Sequence, residues 1–233
     1  MTRKPMSILL DADAPRVLTV PMISAVLSAN GKKVARNTVF RWTRDQRQTG
    51  VLRLVTRGLY LNQLAQPRPE AAEAAAYVRS GAIVSLQAVL GDAGVLNNYS
   101  DLVTCVLPLV DGVAPSSRTV RANRLEYRFH VMPARLLDDR AGDSADRFDP
   151  DVSYPRATPE KALLDWIYLG ASSRTKIAGP PLDIDLPRLD MARLERLSKA
   201  MKLDEELGKY LDRKSRHDAD PGVIANDAVE SWL

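Results

Sequence analysis

Eight basic side chains, Lys32, Lys33, Arg36, Arg41, Arg44, Arg47, Arg53 and Arg57, share one stretch whose single acid is Asp45. Over residues 1–64, eleven Lys/Arg stand against three acids, a net charge of +8, while the other 169 residues carry −4. The whole chain's +4 conceals that division. A cationic segment of this density attracts polyanions. A solvated basic face would not gather eight net charges into a quarter of the chain. Arginine adds selectivity, because its planar fork takes both acceptors of a guanine edge, whereas lysine grips phosphate as a point charge.

Other chemistries find little material. The single Cys105 excludes an internal disulfide, and its place in the apolar run 102–110 makes it a core thiol. His130 and His217 are the only histidines, too few for a zinc cluster on ligand spacing or for Ser/His/Asp or Cys/His catalysis. No Gly-rich phosphate loop occurs. Asp111 followed by Glu126-Tyr127-Arg128 has something of a metal-dependent nuclease core, the less favoured alternative. Arginine stands there in place of the lysine, and it is a poor base. Residues 138–151 hold six aspartates but lack the glycine and closing glutamate of a calcium loop, so they read as a solvated loop. Asp183 and Asp185 read as turn and cap residues. The expectation is a protein that is not an enzyme and needs no cofactor.

With 45% hydrophobic and 27% charged residues the composition is that of an ordinary globular chain. No apolar stretch approaches the ~20 residues of a membrane span. The apolar run at the N-terminus is too short for a secretory signal, and the expected compartment is the cytoplasm.

The basic residues need a scaffold, and the local signals specify one. Thr19 can cap a helix over 20–29, with Pro21 in its first turn, Ile23, Val26 and Leu27 as its apolar stripe, and Asn30-Gly31 as its end. After a linker over 32–36, Asn37 reads as the cap of a second helix, 38–49, which Gly50 stops. Val39, Trp42 and Gln46 face inward; Thr38, Arg41, Asp45 and Gln48 face outward, with Arg44 flanking. Phe40 and Trp42, aromatics at helical spacing, read as core. Strands over 51–56 and 59–61 flank the turn Arg57-Gly58. Residues 7–11 and 16–20 would supply a first helix and a third strand. This is the winged helix-turn-helix layout, whose second helix enters the major groove. On that layout Thr38 and Arg41 would meet bases, with Arg44 next. Lys32, Lys33 and Arg36 would hold phosphates near the helix start, and Arg53 and Arg57 would do so on the wing. A winged helix reused for protein contact is the bland alternative.

Residues 62–69, with two prolines, read as a linker between a domain at 1–64 and another at 70–233. The second would be a mixed α/β domain ending in helices, making the fold class α+β. It opens with an Ala-rich helix over 70–79, a short apolar strand at 82–84, and a helix to Ala93 that Ser85 can cap. Strands follow at 102–107, 118–120 and 125–131. Thr158-Pro159-Glu160 starts a helix that Leu163, Leu164, Trp166, Ile167 and Tyr168 make apolar around most of its circumference. Amphipathic helices carry Leu194, Leu197 and Met201, then Leu207 and Leu211.

Three motifs, in order, carry a family resemblance. They are the turn Arg57-Gly58-Leu59-Tyr60, the helix start Ser85-Leu86-Gln87-Ala88-Val89-Leu90 followed by Gly94, and the run Ala157-Thr158-Pro159-Glu160-Lys161-Ala162-Leu163-Leu164-Asp165. Together, over about 20–211, they resemble the AbiEi antitoxins of type IV toxin–antitoxin and phage-abortive-infection systems. The resemblance implies a transcriptional autorepressor that binds inverted repeats in double-stranded DNA at its own promoter through a winged helix. It also implies an antitoxin whose functional partner is a nucleotidyltransferase-like toxin, AbiEii. Gln46 departs from the leucine such helices bury, and 171–186 matches no family feature. The DNA-contact role passes only to Thr38, Arg41, Arg44 and the flanking bases. Glu160 and Lys161 are accounted for equally well by helix capping.

Overall fold

Thr19 ends a strand and starts a helix. In the computed structural model, which describes residues 5–29, 31, 33–97, 101–109, 119–122, 125–137, 144–175 and 177–219, α1 (Pro5–Leu9) and β1 (Val17–Thr19) lead into α2 (Val20–Leu27). The Met22 N–H donates to Thr19 Oγ1 at 3.4 Å, and Pro21 occupies the first turn, where no intrahelical partner is lost. Next, α3 (Arg36–Gln48) begins two residues before the expected start. Extended Ala35 needs no capping side chain, because its carbonyl accepts from Thr38 N at 2.9 Å and Val39 N at 3.2 Å. Asn37 therefore lies inside the helix, exposed. Gly50 ends the turn at φ +77°, a conformation costly for other residues.

A hairpin follows, β2 (Leu52–Thr56) and β3 (Leu59–Asn62), turning at Arg57-Gly58 with Gly58 at φ +81°. β1 pairs antiparallel on the other edge of β3, giving the order β1-β3-β2, with Thr19 opposite Leu59. The Val20 N–H donates to the Gly58 carbonyl at 3.1 Å, so the start of α2 is bonded to the hairpin turn. All four residues of the central strand are buried, which explains its continuous Leu-Tyr-Leu run. Leu9, Leu18, Ile23, Val39, Leu52 and Tyr60 form one core cluster, with Trp42 half-buried against it.

The chain divides into two compact units, Met1–Ala82 with Asp101–Val103 and Ser117–Arg128, and Ile83–Ser100 with Thr104–Ser116 and Phe129–Leu233. The expected linker over 62–69 thus lies inside the first unit. Asn62 is fully buried, its Nδ2 donating to Leu9 O at 2.9 Å and Pro15 O at 3.3 Å, while Leu64 N donates to its Oδ1 at 3.1 Å. Arg16 adds a bidentate pair with Glu73 at 2.7 and 2.8 Å and a bond to Pro67 O at 2.7 Å. The Ala-rich run is a 3₁₀ turn (Ala71–Ala74) followed by α4 (Ala75–Val78), and Tyr127 Oη donates to Ala71 O at 2.8 Å.

Two further strands, β4 (Ile83–Val84) and β5 (Leu102–Leu109), and the ladder of β6 (Thr119–Ala122) with β7 (Leu125–Pro133) make a second sheet of order β4-β5-β7-β6. Arg118, the expected start of β6, lies outside the described residues. The helices of the second unit are α5 (Gln87–Asp92), α6 (Ser144–Arg147), α7 (Pro159–Ala171), α8 (Met191–Met201) and α9 (Asp204–Ala219). The protein is thus a mixed α+β fold with two sheets and C-terminal helices. α7 packs against α5, α6, α8 and α9, burying Leu163, Leu164, Ile167 and Leu169 while Trp166 and Tyr168 stay half-exposed.

Part of the Asp-rich stretch departs from a solvated loop: 138–143 lie outside the described residues, but 144–147 are helical. Arg147 is only 2% exposed and donates to Leu136 O, and Asp146 takes both nitrogens of an Arg196 fork at 3.0 Å. The unassigned stretch after α7 is bound to its unit by side-chain donors: Trp166 Nε1 to Ala178 O (2.9 Å), Tyr210 Oη to Pro181 O (2.8 Å) and Lys214 Nζ to Leu182 O (3.0 Å).

Gly170 makes that closeness possible, since a Cβ there would stand 2.5 Å from Gly179 Cα and 2.9 Å from its nitrogen. Gly170→Ala is expected to lose about 1–3 kcal/mol in urea unfolding from overpacking. Gly208→Ala, on open α9 surface, should instead gain up to about 1 kcal/mol from helix propensity. Equal effects at the two sites would refute the packing account.

Candidate nucleic-acid interface

α3 sorts its residues by face. Val39 and Thr43 are buried, and Trp42 and Gln46 are half-buried. Thr43, which the sequence reading missed, tolerates burial because its hydroxyl donates to Val39 O at 2.7 Å, one turn back. The opposite face exposes Arg36, Asn37, Thr38, Phe40, Arg41, Arg44, Asp45, Arg47 and Gln48. Arg53 on β2, Arg57 at the hairpin turn and Lys33 before α3 are exposed as well. Lys32 lies outside the described residues.

The exposed cations of this face are largely uncommitted. Arg44 approaches Asp45 at 3.6 Å with both side chains in solvent, a pair worth little. Among the described residues Arg41, Arg47, Arg53 and Arg57 have no acidic partner. Phe40 corrects the expectation of a core aromatic: it is 42% exposed, and the Arg36 guanidinium stacks 5.4 Å from its ring centroid. Position i+1 from buried Val39 turns it outward, where helical spacing alone suggested core.

Between the C-terminal half of α3 and β2 lies a concavity of about 590 Å³ lined by Arg44, Arg47, Gln48, Gly50, Leu52, Arg53, Leu54 and Gln63. Arg47 and Gln63 were not among the expected contact residues. Arg47 was not placed on the outer face, although its spacing three residues from Arg44 is a signal that could have found it; nothing local marked Gln63.

The motif residues of the second unit have structural partners instead. Thr158 caps α7, the Lys161 N–H donating to its hydroxyl at 3.3 Å. Glu160, 3% exposed, accepts the Asp190 N–H at 2.8 Å where α8 begins. Lys161 forms a buried ion pair with Asp165, whose other oxygen accepts the Ser85 hydroxyl at 2.7 Å. Ser85 is therefore not the cap of α5. Leu86 precedes that helix at φ +60°, and the serine hydroxyl is committed across the unit. Burial pushes the Asp165 carboxyl up and the Lys161 ammonium down, each against its partner's pull.

Cys105 is buried as expected, and burial pushes its thiol up to about 12, far from a reactive thiolate. Of the nuclease-like residues, Asp111 lies outside the described residues. Glu126 is held by Arg121 at 2.7 Å and Arg128 at 3.1 Å, contacts that keep its carboxyl below the usual range. Asp185 starts a 3₁₀ turn and pairs with Arg188 at 2.8 Å. Among the described residues no group of three or more His, Cys, Asp or Glu side chains is placed to hold a metal ion, and no helix is long and apolar enough to cross a membrane.

No protein-family model matches the chain, and no curated protein matches its sequence. Among solved structures it is similar to the crystal structure of RV2827C protein from Mycobacterium tuberculosis, at a TM-score of 0.51 and 17% identity, covering 92% of this chain and 78% of that one. At that identity the likeness is one of fold alone.

Proposed function

We propose that residues 1–64 are a winged helix-turn-helix that binds double-stranded DNA sequence-selectively, and that the chain is an autorepressing antitoxin for a nucleotidyltransferase-like toxin. The observation that carries the DNA reading is the outer face of α3, where Arg36, Thr38, Arg41 and Arg44 stand exposed, with no acidic partner for Arg41 among the described residues. Thr38 and Arg41 lie in the N-terminal half of the helix, the part that meets base edges in this architecture. Arg53 and Arg57 stand on the hairpin that would form the wing, suited to backbone phosphates. The antitoxin role rests on the AbiEi-like motifs, and co-expression with a neighbouring toxin gene, scored for rescue of growth, tests it.

A footprint on the DNA upstream of the chain's own start codon, followed by anisotropy titration of the protected fragment, tests the DNA reading. Arg41→Ala is expected to cost about 1–3 kcal/mol on that fragment and much less on a scrambled duplex. Equal losses on both would move Arg41 from base to phosphate. Wild-type protein binding the fragment no more tightly than the scrambled duplex would end the claim of sequence selectivity.

A further inference from the structure

Three guanidiniums of like charge, Arg44, Arg47 and Arg53, line one concavity of about 590 Å³. Asp45 relieves only Arg44, at 3.6 Å; Arg47 and Arg53 have no acidic partner among the described residues. A second, independent feature lies in the same lining. Gln63 is held by its backbone N–H donating to Val51 O at 2.9 Å, yet its buried side-chain Nε2 finds no acceptor among the described residues. A buried donor without a partner is costly, and an acceptor arriving from outside would satisfy it. The carbonyls at the end of α3 oppose an anion, but a helix end carries only about half a unit charge. Three full cations outweigh it. What the lining lacks is an oxygen-rich anion with several acceptors.

We propose that this concavity is a phosphate-binding site, with Arg47 and Arg53 as its charged arms and Gln63 Nε2 as its neutral donor. The assignment rests on the DNA reading above, in which the phosphate is one diester of the duplex backbone. A free phosphate ester shares the same chemistry. The site would separate the labours of α3: its first turns read bases, and its last turn fixes the duplex against β2 without regard to sequence.

The test uses the full-length chain, a scrambled DNA duplex and inorganic pyrophosphate, with Arg47→Ala and Gln63→Ala checked for unchanged unfolding midpoints. Wild type should bind the duplex, and each substitution should weaken it about tenfold on every sequence tried. Arg47→Ala should also reduce the log–log salt slope by about 0.9. Intact duplex binding that ignores both substitutions would overturn the site and leave the DNA reading standing. Pyrophosphate binding lost in Arg47→Ala, in a protein that ignores duplex, would keep the site, give it to a free phosphate ester and end the DNA reading. Binding of neither probe overturns both.

Discussion

Replacing Asp165 by alanine is expected to lower the unfolding free energy by about 3–5 kcal/mol, a large share of the roughly 5–15 kcal/mol that holds a typical domain. The carboxylate is fully buried and serves two partners, the Lys161 ammonium and the Ser85 hydroxyl. Without it the ammonium is left in an apolar interior with no counter-charge, and the Ser85 proton has no acceptor. Lys161→Met should cost less, because the Asp165 carboxylate keeps the Ser85 hydroxyl and the favourable charge of Arg147, whereas the same Arg147 charge opposes an unpaired Lys161 ammonium. The double variant Lys161→Met with Asp165→Leu should recover much of the loss, since an apolar pair of similar volume removes the desolvation penalty altogether. Urea unfolding of the wild type, Lys161→Met, Asp165→Leu and the double variant gives the coupling. A double-variant cost equal to the sum of the single costs would show that the two groups do not act as a pair.

Asn62→Ala is expected to cost about 3 kcal/mol, from three hydrogen bonds at about 1 kcal/mol each. The amide joins the end of α1, the approach to β1 and the chain leaving β3, so its loss strands the Leu9 and Pro15 carbonyls and the Leu64 N–H. Asn62→Asp separates chemistry from packing. It keeps the acceptor for Leu64 but aims a carboxylate oxygen at two carbonyls in a buried site, and should be at least as damaging as alanine. Thermal melts rank the variants, and amide exchange at Leu64, compared with that of neighbouring amides, should accelerate in the alanine variant and not in the aspartate variant. A change within about 0.5 kcal/mol would place Asn62 among ordinary surface positions.

Local signals in the sequence were enough at several helix caps and turns, though not at Asn37, which lies inside α3, nor at Thr43, whose hydroxyl bonds one turn back. Thr19 and Thr158 cap the helices they precede, and Gly50 and Gly58 take the positive φ their turns require. Partners distant in the chain were not legible. Ser85 has a helix-cap sequence context, yet its hydroxyl serves an aspartate 80 residues away. Asn62 sits among residues typical of a linker, but its amide bonds carbonyls 47 and 53 residues earlier. Arg147 lies in an acidic stretch and is nevertheless 2% exposed. The candidate site divides the same way. Exposure of Thr38, Arg41 and Arg44 follows from the period of one helix, whereas Gln63 joins Arg47 only because a later strand folds back beside it. Phe40 was misplaced because helical spacing cannot tell an aromatic at the edge of the buried stripe from one within it.

The bond from the Val20 N–H to the Gly58 carbonyl bears on the entropy of recognition. Hairpin tips are commonly the most mobile part of a small domain, and a mobile tip must be immobilised when it meets a ligand. Here the tip is fastened on folding to the first residue of α2, and Thr19 pairs with Leu59 just beyond it. The Arg57 backbone therefore loses its freedom, about 1–2 kcal/mol per residue, before any encounter. Only its side-chain rotamers, about 0.5–1.5 kcal/mol, remain to be ordered on contact. Under the DNA-binding proposal, the hairpin is a preset arm whose reach is decided by the fold rather than by the duplex.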